Sequence, residues 1–144
     1  NGTYDGGREK APAAICRKII RASMQNEDII DVWGDGEQTR SFLYIDDCVE
    51  ATLKLFDSDE HGPINIGSEE KVSINEMIDK IELISNKKVK RNYQLDKPKG
   101  VRGRNSDNTF IKEKLNWEPK FTLKEGLEPT FKWIQSEIRK KHNQ

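Results

Sequence analysis

Apolar residues at helical spacing predict one helix close to the start of the chain and another at its end. The apolar face of the first helix is formed by Ala11, Ile15, Ile19 and Ala22. Pro12 suits only a first turn, so this helix should begin close to Lys10 and Ala11. In the last helix Pro129 interrupts the pattern and should kink the helix or restart it.

Three capping boxes, each an oxygen-bearing side chain followed by a glutamate at helical spacing, predict where other helices begin. The pairs are Asp47 with Glu50, Ser73 with Glu76, and Thr122 with Glu125. The first should start a helix that runs through Phe56. The second precedes an apolar helix face formed by Met77, Ile78, Ile81 and Ile84. A short helix is also expected from Thr109 to Leu115.

Short apolar runs bounded by turn residues predict the strands. They are Ile29 to Trp33, Phe42 to Ile45, Pro63 to Gly67 and Val89 to Tyr93. Strands that alternate with helices indicate α/β architecture. They are too few for a closed, doubly wound sheet, and no G-x-G-x-x-G turn joins a strand to a helix. The sequence therefore predicts no dinucleotide site in this chain.

Composition and charge narrow the classes of function. The 144 residues are 33% hydrophobic and 35% charged, a lean core that suggests some apolar surface is meant for a neighbour. The 25 basic and 25 acidic side chains cancel, which argues against a general nucleic-acid binder. No apolar run approaches membrane-spanning length. The opening run Asn1 to Gly7 reads as a loop, so we expect the chain to be part of a longer protein.

The two cysteines, Cys16 and Cys48, stand alone, without a C-x-x-C motif or a histidine at ligand spacing. This usage argues against a metal site and favours the reducing cytoplasm over a disulfide-stabilised fold.

The first candidate site is the run Gly6 to Lys10, which leads into the first helix. Two glycines let the backbone approach a ligand closely, and free amide groups at a helix start favour an anion. Lys10, at this positive helix end, could exchange protons in a dry site. Lys18, about 80° around the helix from Lys10, could reach a phosphate. Judged from this cluster alone, two ordinary solvated lysines are the better interpretation.

The second candidate site runs from Gly34 to Asp47. A tight turn delivers Gln38, Thr39 and Arg40 onto a strand, which is a rigid mount for polar recognition. The guanidinium of Arg40 suits a diphosphate or a carboxylate. The alternative is a plain turn in which Arg40 pairs with Asp46 or Asp47.

The third candidate site is the polar loop from Gly100 to Asn108. Arg102 and Arg104 lie beside glycines and form a plausible anion clamp. Asp107 could orient Arg104 or cap the next helix. The alternative is a surface loop that ends in a helix cap.

Together these clusters resemble the carboxy-terminal half of extended short-chain dehydrogenase/reductase enzymes that act on nucleotide sugars. The family run G-D-G-x-Q-x-R-x-F-x-Y-x-x-D is complete from Gly34 to Asp47, although many relatives have Asp where Ser41 stands. The family's P-x-N-x-G follows at Pro63 to Gly67. Within that family, the GDP-mannose 3,5-epimerases resemble this chain in its most specific stretches. These are Gly6 to Ala14, Val101 to Asn108, and Ile111 to Leu115.

The resemblance implies that residues 1–144 form one substrate-binding unit of a Rossmann-type enzyme. It also implies that an N-terminal part binds NAD, that no metal is needed, and that the parent is a homodimer. In such epimerases NAD oxidises C4 of the hexose, and an acid–base pair then inverts C3 and C5. Lys10 falls on the catalytic lysine, and its partner cysteine lies upstream of this chain. The residues that match GDP-sugar contacts are Glu9, Lys10, Ala11, Lys18, Gln38, Thr39, Arg40 and Arg104.

Two other functions stay open at this point. The parent enzyme could catalyse C4 epimerisation, 4,6-dehydration or decarboxylation, none of which needs a lysine acid at position 10. The chain could also act only as a non-catalytic module that binds a sugar nucleotide. Under the enzyme hypotheses, we expect the segment from Val49 to Gly67 to pack on the cofactor lobe.

Overall fold

The computed structural model describes residues 3–98 and 100–142 and confirms the expected α/β architecture. The helices are α1 (Ala11–Met24), α2 (Ile45–Phe56), α3 (Ile74–Ser85), α4 (Thr109–Leu115) and α5 (Leu123–His142). The strands are β1 (Ile29–Trp33), β2 (Thr39–Ser41), β3 (Lys71–Ser73) and β4 (Lys90–Gln94). In the described ranges none of the helices is both long enough and apolar enough to cross a membrane.

The core is formed by three helices, α1, α3 and α5, which pack on one another. Their predicted apolar faces are confirmed, because the side chains that those faces bring together are buried. These side chains are Ile15, Ile19, Ala22, Met77, Ile78, Ile81, Leu127, Phe131 and Ile134. Strand β1 adds Ile30 and Val32 to the same cluster and leaves its alternate side chains exposed.

Each sheet of the described chain has only two strands. Strand β1 pairs in parallel with β4, and β2 pairs antiparallel with β3. The loop at residues 102–104 also hydrogen-bonds to β2, through a parallel bridge between Thr39 and Gly103. Two-stranded sheets are marginal by themselves in water, so these strands depend on the helical core beside them.

Two of the predicted strands are wrong. Phe42 to Ile45 is not a strand, because β2 ends at Ser41 and α2 begins at Ile45. Pro63 to Gly67 forms no strand, and Ile64 and Ile66 lie against a second apolar cluster instead. That cluster is Ala51, Ile111 and Trp117. An apolar run becomes a strand only where a neighbouring strand pairs with it, and periodicity alone does not supply that information.

The predicted capping box at Asp47 is also wrong. Helix α2 begins at Ile45, so Asp47 lies inside its first turn. The Asp47 carboxylate is 1% exposed and accepts hydrogen bonds from the backbone N–H groups of Lys120 and Phe121, both at 3.1 Å. Asp47 therefore ties α2 to the segment that leads into α5.

The other two capping boxes are confirmed. Ser73 and Glu76 satisfy each other's backbone N–H groups at the start of α3, and Thr122 and Glu125 do the same at the start of α5. The sequence predicts that Pro129 kinks the last helix or restarts it, and the restart does not occur, because α5 runs through Pro129 as one helix. The buried residues on both sides of Pro129 hold the two halves of the helix on the same core.

The Asp47 contact predicts a large effect on stability. Asp47→Ala should lower the free energy of unfolding by about 3 kcal/mol, because it leaves two backbone N–H groups without an acceptor. Urea unfolding measures this difference. Asp46→Ala is the matched control, since Asp46 is an exposed neighbour on the same turn and should cost less than about 1 kcal/mol. Equal losses in the two variants would contradict the assigned role of Asp47.

Candidate functional site

Lys10 stands at the N-cap of α1, directly after a loop with two glycines in the left-handed region. Gly6 and Gly7 have φ values of +91° and +83°. Lys10 has an extended backbone conformation, its carbonyl accepts the N–H of Ala14 at 3.0 Å, and no side chain caps the helix. The Lys10 side chain is exposed and pairs with no carboxylate in the described ranges. An exposed cation therefore stands beside first-turn amide groups of α1.

Glu9 has its carboxylate turned towards α1. One oxygen forms an ion pair with Arg17 and the other accepts the N–H of Gly7 at 2.7 Å. The hydrogen bond from its own backbone N–H, and then the guanidinium of Arg17, hold the pKa of Glu9 below its ordinary value. The Glu9 side chain is only 7% exposed. Any contact of Glu9 with a substrate would therefore be made by its backbone, and this contact stays a prediction.

Lys18 and Gln38 hydrogen-bond to the same strand edge. The Nζ of Lys18 donates to the carbonyl of Asp31 at 2.6 Å, and the Nε2 of Gln38 donates to the carbonyl of Trp33 at 3.0 Å. These carbonyls point away from β4, because the backbone groups that bond to β4 alternate along a parallel strand and belong to even-numbered residues such as Asp28 and Gly34. The two carbonyls belong to residues two apart on the strand, so the two side chains bind at points about 7 Å apart along one edge. Burial lowers the pKa of Lys18.

The turn before Gln38 is held by Asn75, the second residue of α3. The backbone N–H of Asn75 donates to the carbonyl of Gly36 at 3.0 Å, and its side-chain amide donates to Glu37 at 2.7 Å. Its side-chain oxygen accepts from Arg91 and Tyr93 of β4. Gly36 has φ +77°, and a Cβ there would lie 2.3 Å from the Asn75 amide. Only glycine fits this turn without displacing Asn75.

Backbone pairing brings Thr39, Arg40 and Arg104 together. The carbonyl of Thr39 accepts the N–H of Arg104 at 3.2 Å, and the carbonyl of Arg104 accepts the N–H of Ser41 at 3.1 Å. The guanidinium of Arg40 donates to the Thr39 carbonyl at 2.7 Å, and Gly100 lies beside it. Neither arginine forms an ion pair within the ranges 3–98 and 100–142, so the alternative pairing with Asp46 or Asp47 is not formed there.

Asp107 binds the first residue of α4 rather than Arg104, although Asn108 is the N-cap residue of that helix. Its carboxylate accepts the N–H of Thr109 at 2.9 Å, and this hydrogen bond holds the pKa of Asp107 below its ordinary value. The same loop meets the P-x-N-x-G stretch, because Asn108 donates to the carbonyl of Gly67 at 2.9 Å. A Cβ on Gly67 would lie 2.6 Å from Ser106. The second family motif therefore supports the loop that carries Arg104.

Neither cysteine takes part in this site. Cys16 is completely buried in the helical core, and burial raises the pKa of its thiol to about 12. Cys48 lies half-buried on α2. In the described part of the chain no three His, Cys, Asp or Glu side chains are grouped closely enough to hold a metal ion.

A cavity of about 620 Å³ lies elsewhere, between α4 and the start of α5. It contains none of the eight predicted substrate contacts. Two of its charged groups are engaged within the protein, because Lys112 pairs with Glu118 and Glu70 accepts the N–H of Leu123. We therefore place the candidate site at Lys10 and the strand edges rather than in this cavity.

The sequence analysis missed two residues that support the site. Arg17 holds the loop before Lys10, and Asn75 holds the turn before Gln38. For the contact between Arg17 and Glu9, the only indication in the sequence is that Arg17 lies two helical turns beyond Glu9. The partner of the turn lies on α3 far along the chain, and no spacing rule connects the two.

The comparisons with known proteins point to one family. The family model described as GDP-mannose 4,6 dehydratase matches residues 3–130. The GDP-mannose 3,5-epimerase of Arabidopsis thaliana is 52% identical over 139 residues, which cover 96% of this chain and 36% of that protein. The chain thus spans about a third of the length of that relative.

Solved structures of two epimerases have the same fold. The UDP-glucose 4-epimerase of Thermotoga maritima, with UDP-glucose, superposes with a TM-score of 0.81 at 29% identity. The matched region covers 92% of this chain and 41% of the Thermotoga enzyme. The UDP-glucuronic acid 4-epimerase of Bacillus cereus, with UDP-glucuronic acid and NAD, gives 0.74 at 28% identity. There the coverage is 85% of this chain and 40% of the epimerase.

The contact between Gly36 and Asn75 can be tested by adding one methyl group. Gly36→Ala should lower the free energy of unfolding by about 3 kcal/mol, because backbone strain and the collision with Asn75 add together. Gly6→Ala is the matched control, since Gly6 has a similar φ and nothing lies within 4 Å of its added Cβ. That variant should lose about 1 kcal/mol in the same urea titration. A smaller loss for Gly36→Ala than for Gly6→Ala would contradict the contact.

Proposed function

The chain belongs to the GDP-mannose 4,6-dehydratase family, and we propose that it is the substrate-binding part of an NAD-dependent GDP-mannose 3,5-epimerase. A near relative that acts on another GDP-hexose is included in this proposal. The observation that carries it is Lys10, an exposed cation at a helix start, within a run similar to those epimerases. Reactions at C4 alone do not need a lysine acid at this position.

The chain carries no sequence fingerprint for binding NAD. No strand-to-helix turn carries a G-x-G-x-x-G run, so in the proposal the dinucleotide is bound by an upstream part of the enzyme. When bound, NAD supplies the oxidation at C4 that makes the neighbouring protons acidic. The task of this chain is to hold the GDP-sugar and to move a proton at C3 or C5.

In the proposal Lys10 moves that proton. Its side chain is exposed, and within the described ranges no carboxylate neutralises it, so its Nζ can reach a bound sugar. The backbone N–H of Ala11 is a first-turn amide of α1 and suits an oxygen of the same sugar. Glu9 contributes its backbone at this point, because its carboxylate is engaged with Arg17 and Gly7.

The other predicted contacts would bind the nucleotide diphosphate and the sugar. Arg40 and Arg104 carry cationic forks without a carboxylate partner among the described residues, and β2 holds their backbones side by side. Gln38 directly precedes Thr39, the first residue of β2, and its side-chain amide donates to a carbonyl on the edge of β1 that faces away from β4. The side-chain oxygen of Gln38 is buried without a hydrogen-bond partner in the described chain, so a ligand donor would satisfy it. Lys18 reaches this edge from α1.

We further propose that the parent enzyme is cytoplasmic, forms a homodimer and binds a GDP-sugar as its substrate. Cys16 and Cys48 are both free thiols, as expected in a reducing compartment. The balanced charge gives no support for nucleic acid as a partner. The homodimer follows from the family resemblance.

We also propose that α2 packs on the upstream cofactor lobe, as part of a segment that reaches Gly67. Ile45, Val49, Leu53 and Phe56 recur on one face of this helix and are between 49% and 83% exposed. An exposed apolar face of this kind usually marks an interface. The short coverage of the relatives leaves a large part of such an enzyme outside this chain to form the other side.

The role of Lys10 predicts a loss of proton exchange. In the complete protein that contains this chain, Lys10→Ala should slow exchange of the C3 and C5 protons of GDP-mannose with solvent at least about 100-fold. Nuclear magnetic resonance in D2O measures the exchange. Lys124→Ala is the matched control, because Lys124 is also an exposed lysine at a helix start and should leave exchange unchanged.

Undiminished exchange in Lys10→Ala would refute the catalytic role. Binding of GDP-mannose to the complete protein with no exchange in the unmodified enzyme would instead favour a non-catalytic binding module. Calorimetry with and without NAD separates the two results.

The apolar face of α2 predicts a stability difference within one helix. In the complete protein Leu53→Ser should lower the free energy of unfolding by about 2 kcal/mol, because a side chain buried between lobes is lost. Lys54→Ser changes the neighbouring exposed position and should cost less than about 1 kcal/mol. Urea unfolding followed by circular dichroism measures both. Equal small losses would show that α2 faces solvent in the complete protein.

A further inference from the structure

The loop before Lys10 is not held by apolar packing. Gly6 and Gly7 both have left-handed φ values, and nothing lies within 4 Å of the positions where their Cβ atoms would be. Tyr4, at the start of the segment, is buried edge-on against Trp133 of α5 with ring centroids 5.5 Å apart. Between Tyr4 and Lys10 the loop therefore needs polar contacts to hold one conformation.

Arg17, a largely buried residue of α1, supplies these contacts. Its Nη1 lies 3.0 Å from the carboxylate of Asp5, and its Nη2 pairs with Glu9. The two carboxylates in turn hold the glycines between them. Asp5 accepts the N–H of Gly6 at 3.0 Å, and Glu9 accepts the N–H of Gly7 at 2.7 Å. One guanidinium thus closes the loop at both ends.

Burial makes this arrangement stronger than a surface ion pair. The side chain of Arg17 is 16% exposed and that of Glu9 is 7% exposed. Ion pairs that are largely removed from water are screened less by salt than exposed pairs. Arg21 adds a second, more exposed contact to Asp5 at 2.8 Å.

The arrangement also decides which cation Glu9 faces. Glu9 is the residue immediately before Lys10, so a carboxylate released from Arg17 would be free to approach the lysine ammonium. With Glu9 bound to Arg17 and Gly7, Lys10 pairs with no carboxylate in the described chain. Arg17 therefore both fixes the backbone before Lys10 and keeps a negative charge away from it.

Building on the proposed function, we propose that Arg17 is a positioning residue for Lys10, acting through Glu9 and Asp5. It touches neither the sugar nor the reacting atoms. Its loss should therefore change proton transfer at Lys10 much more than it changes the binding of the GDP-sugar.

The test compares Arg17→Met with the unmodified enzyme in the complete protein. We expect kcat for GDP-mannose to fall about tenfold, because a small displacement of a catalytic group costs that much, while KM changes less than about twofold. The freed Glu9 carboxylate favours the charged form of Lys10. The limb of the pH–rate profile that depends on Lys10 should therefore move up by about 0.5 to 1 pH unit. Arg139→Met, an exposed arginine on α5, is the matched control and should change neither quantity.

Two further variants separate charge from position. Adding Glu9→Gln to Arg17→Met removes the freed carboxylate. The pH–rate profile should then return to that of the unmodified enzyme, while kcat stays low. Arg17→Lys keeps the positive charge but cannot bridge both carboxylates as a fork does, so it should keep the pH–rate profile with an intermediate kcat. If Arg17→Met does not fold, Arg17→Lys carries the test, and an unchanged kcat in that variant overturns the proposal.

Failure of this proposal differs from failure of the proposed function. If Lys10→Ala loses exchange while Arg17→Met keeps both kcat and its pH–rate profile, only the positioning role is refuted. A kcat loss without a pH shift in Arg17→Met would also overturn it, because a merely structural contact produces that result. If Lys10→Ala retains exchange, the proposed function itself fails.

Discussion

The arrangement of the candidate site depends on one short strand whose two edges are both hydrogen-bonded. Strand β2 pairs with β3 on one edge, and the loop at residues 102–104 joins the other. This pairing fixes the backbones of Thr39, Arg40 and Arg104 side by side, although Arg104 lies 64 positions beyond Arg40 in the chain. Asn75 adds a third support by holding the turn that enters β2. Without this pairing the two arginines would lie on unconnected loops.

Local signals in the sequence predicted the helices well. The boundaries of α1, α3 and α4 follow from proline position, a capping box and apolar spacing, all of which act within one or two turns. The errors lie where a distant partner decides the structure. Asp47 has the spacing of a helix cap, but its carboxylate binds the backbone at residues 120 and 121. The apolar runs at 42–45 and 63–67 resemble strands and pack as connections instead.

The same division holds for the candidate site. Motif positions predicted which residues belong to the candidate site, and the pairing of Arg104 with Thr39 brings two of the three clusters together. The sequence could not show that the Glu9 carboxylate points inward, because its partner Arg17 also pairs with Asp5, and this three-residue arrangement forms only in the folded loop. Nor could it show that Lys18 and Gln38 bind one strand edge. These contacts arise from the packing of α1 beside β1, which no local spacing encodes.

Three residues connect β2 to the apolar face of α2. Phe42 packs on the helical core, Leu43 on the second cluster, and Tyr44 contacts Phe121 with ring centroids 5.0 Å apart. A Cβ on Gly126 would lie 2.9 Å from the Tyr44 ring, so that ring sits directly on α5. Each side chain of the connection is thus anchored in a different part of the fold. The connection therefore has little freedom to bend between Arg40 and α2. In the proposed enzyme, whose second lobe rests on α2, the position of that lobe would help to set the geometry of the proposed substrate contacts.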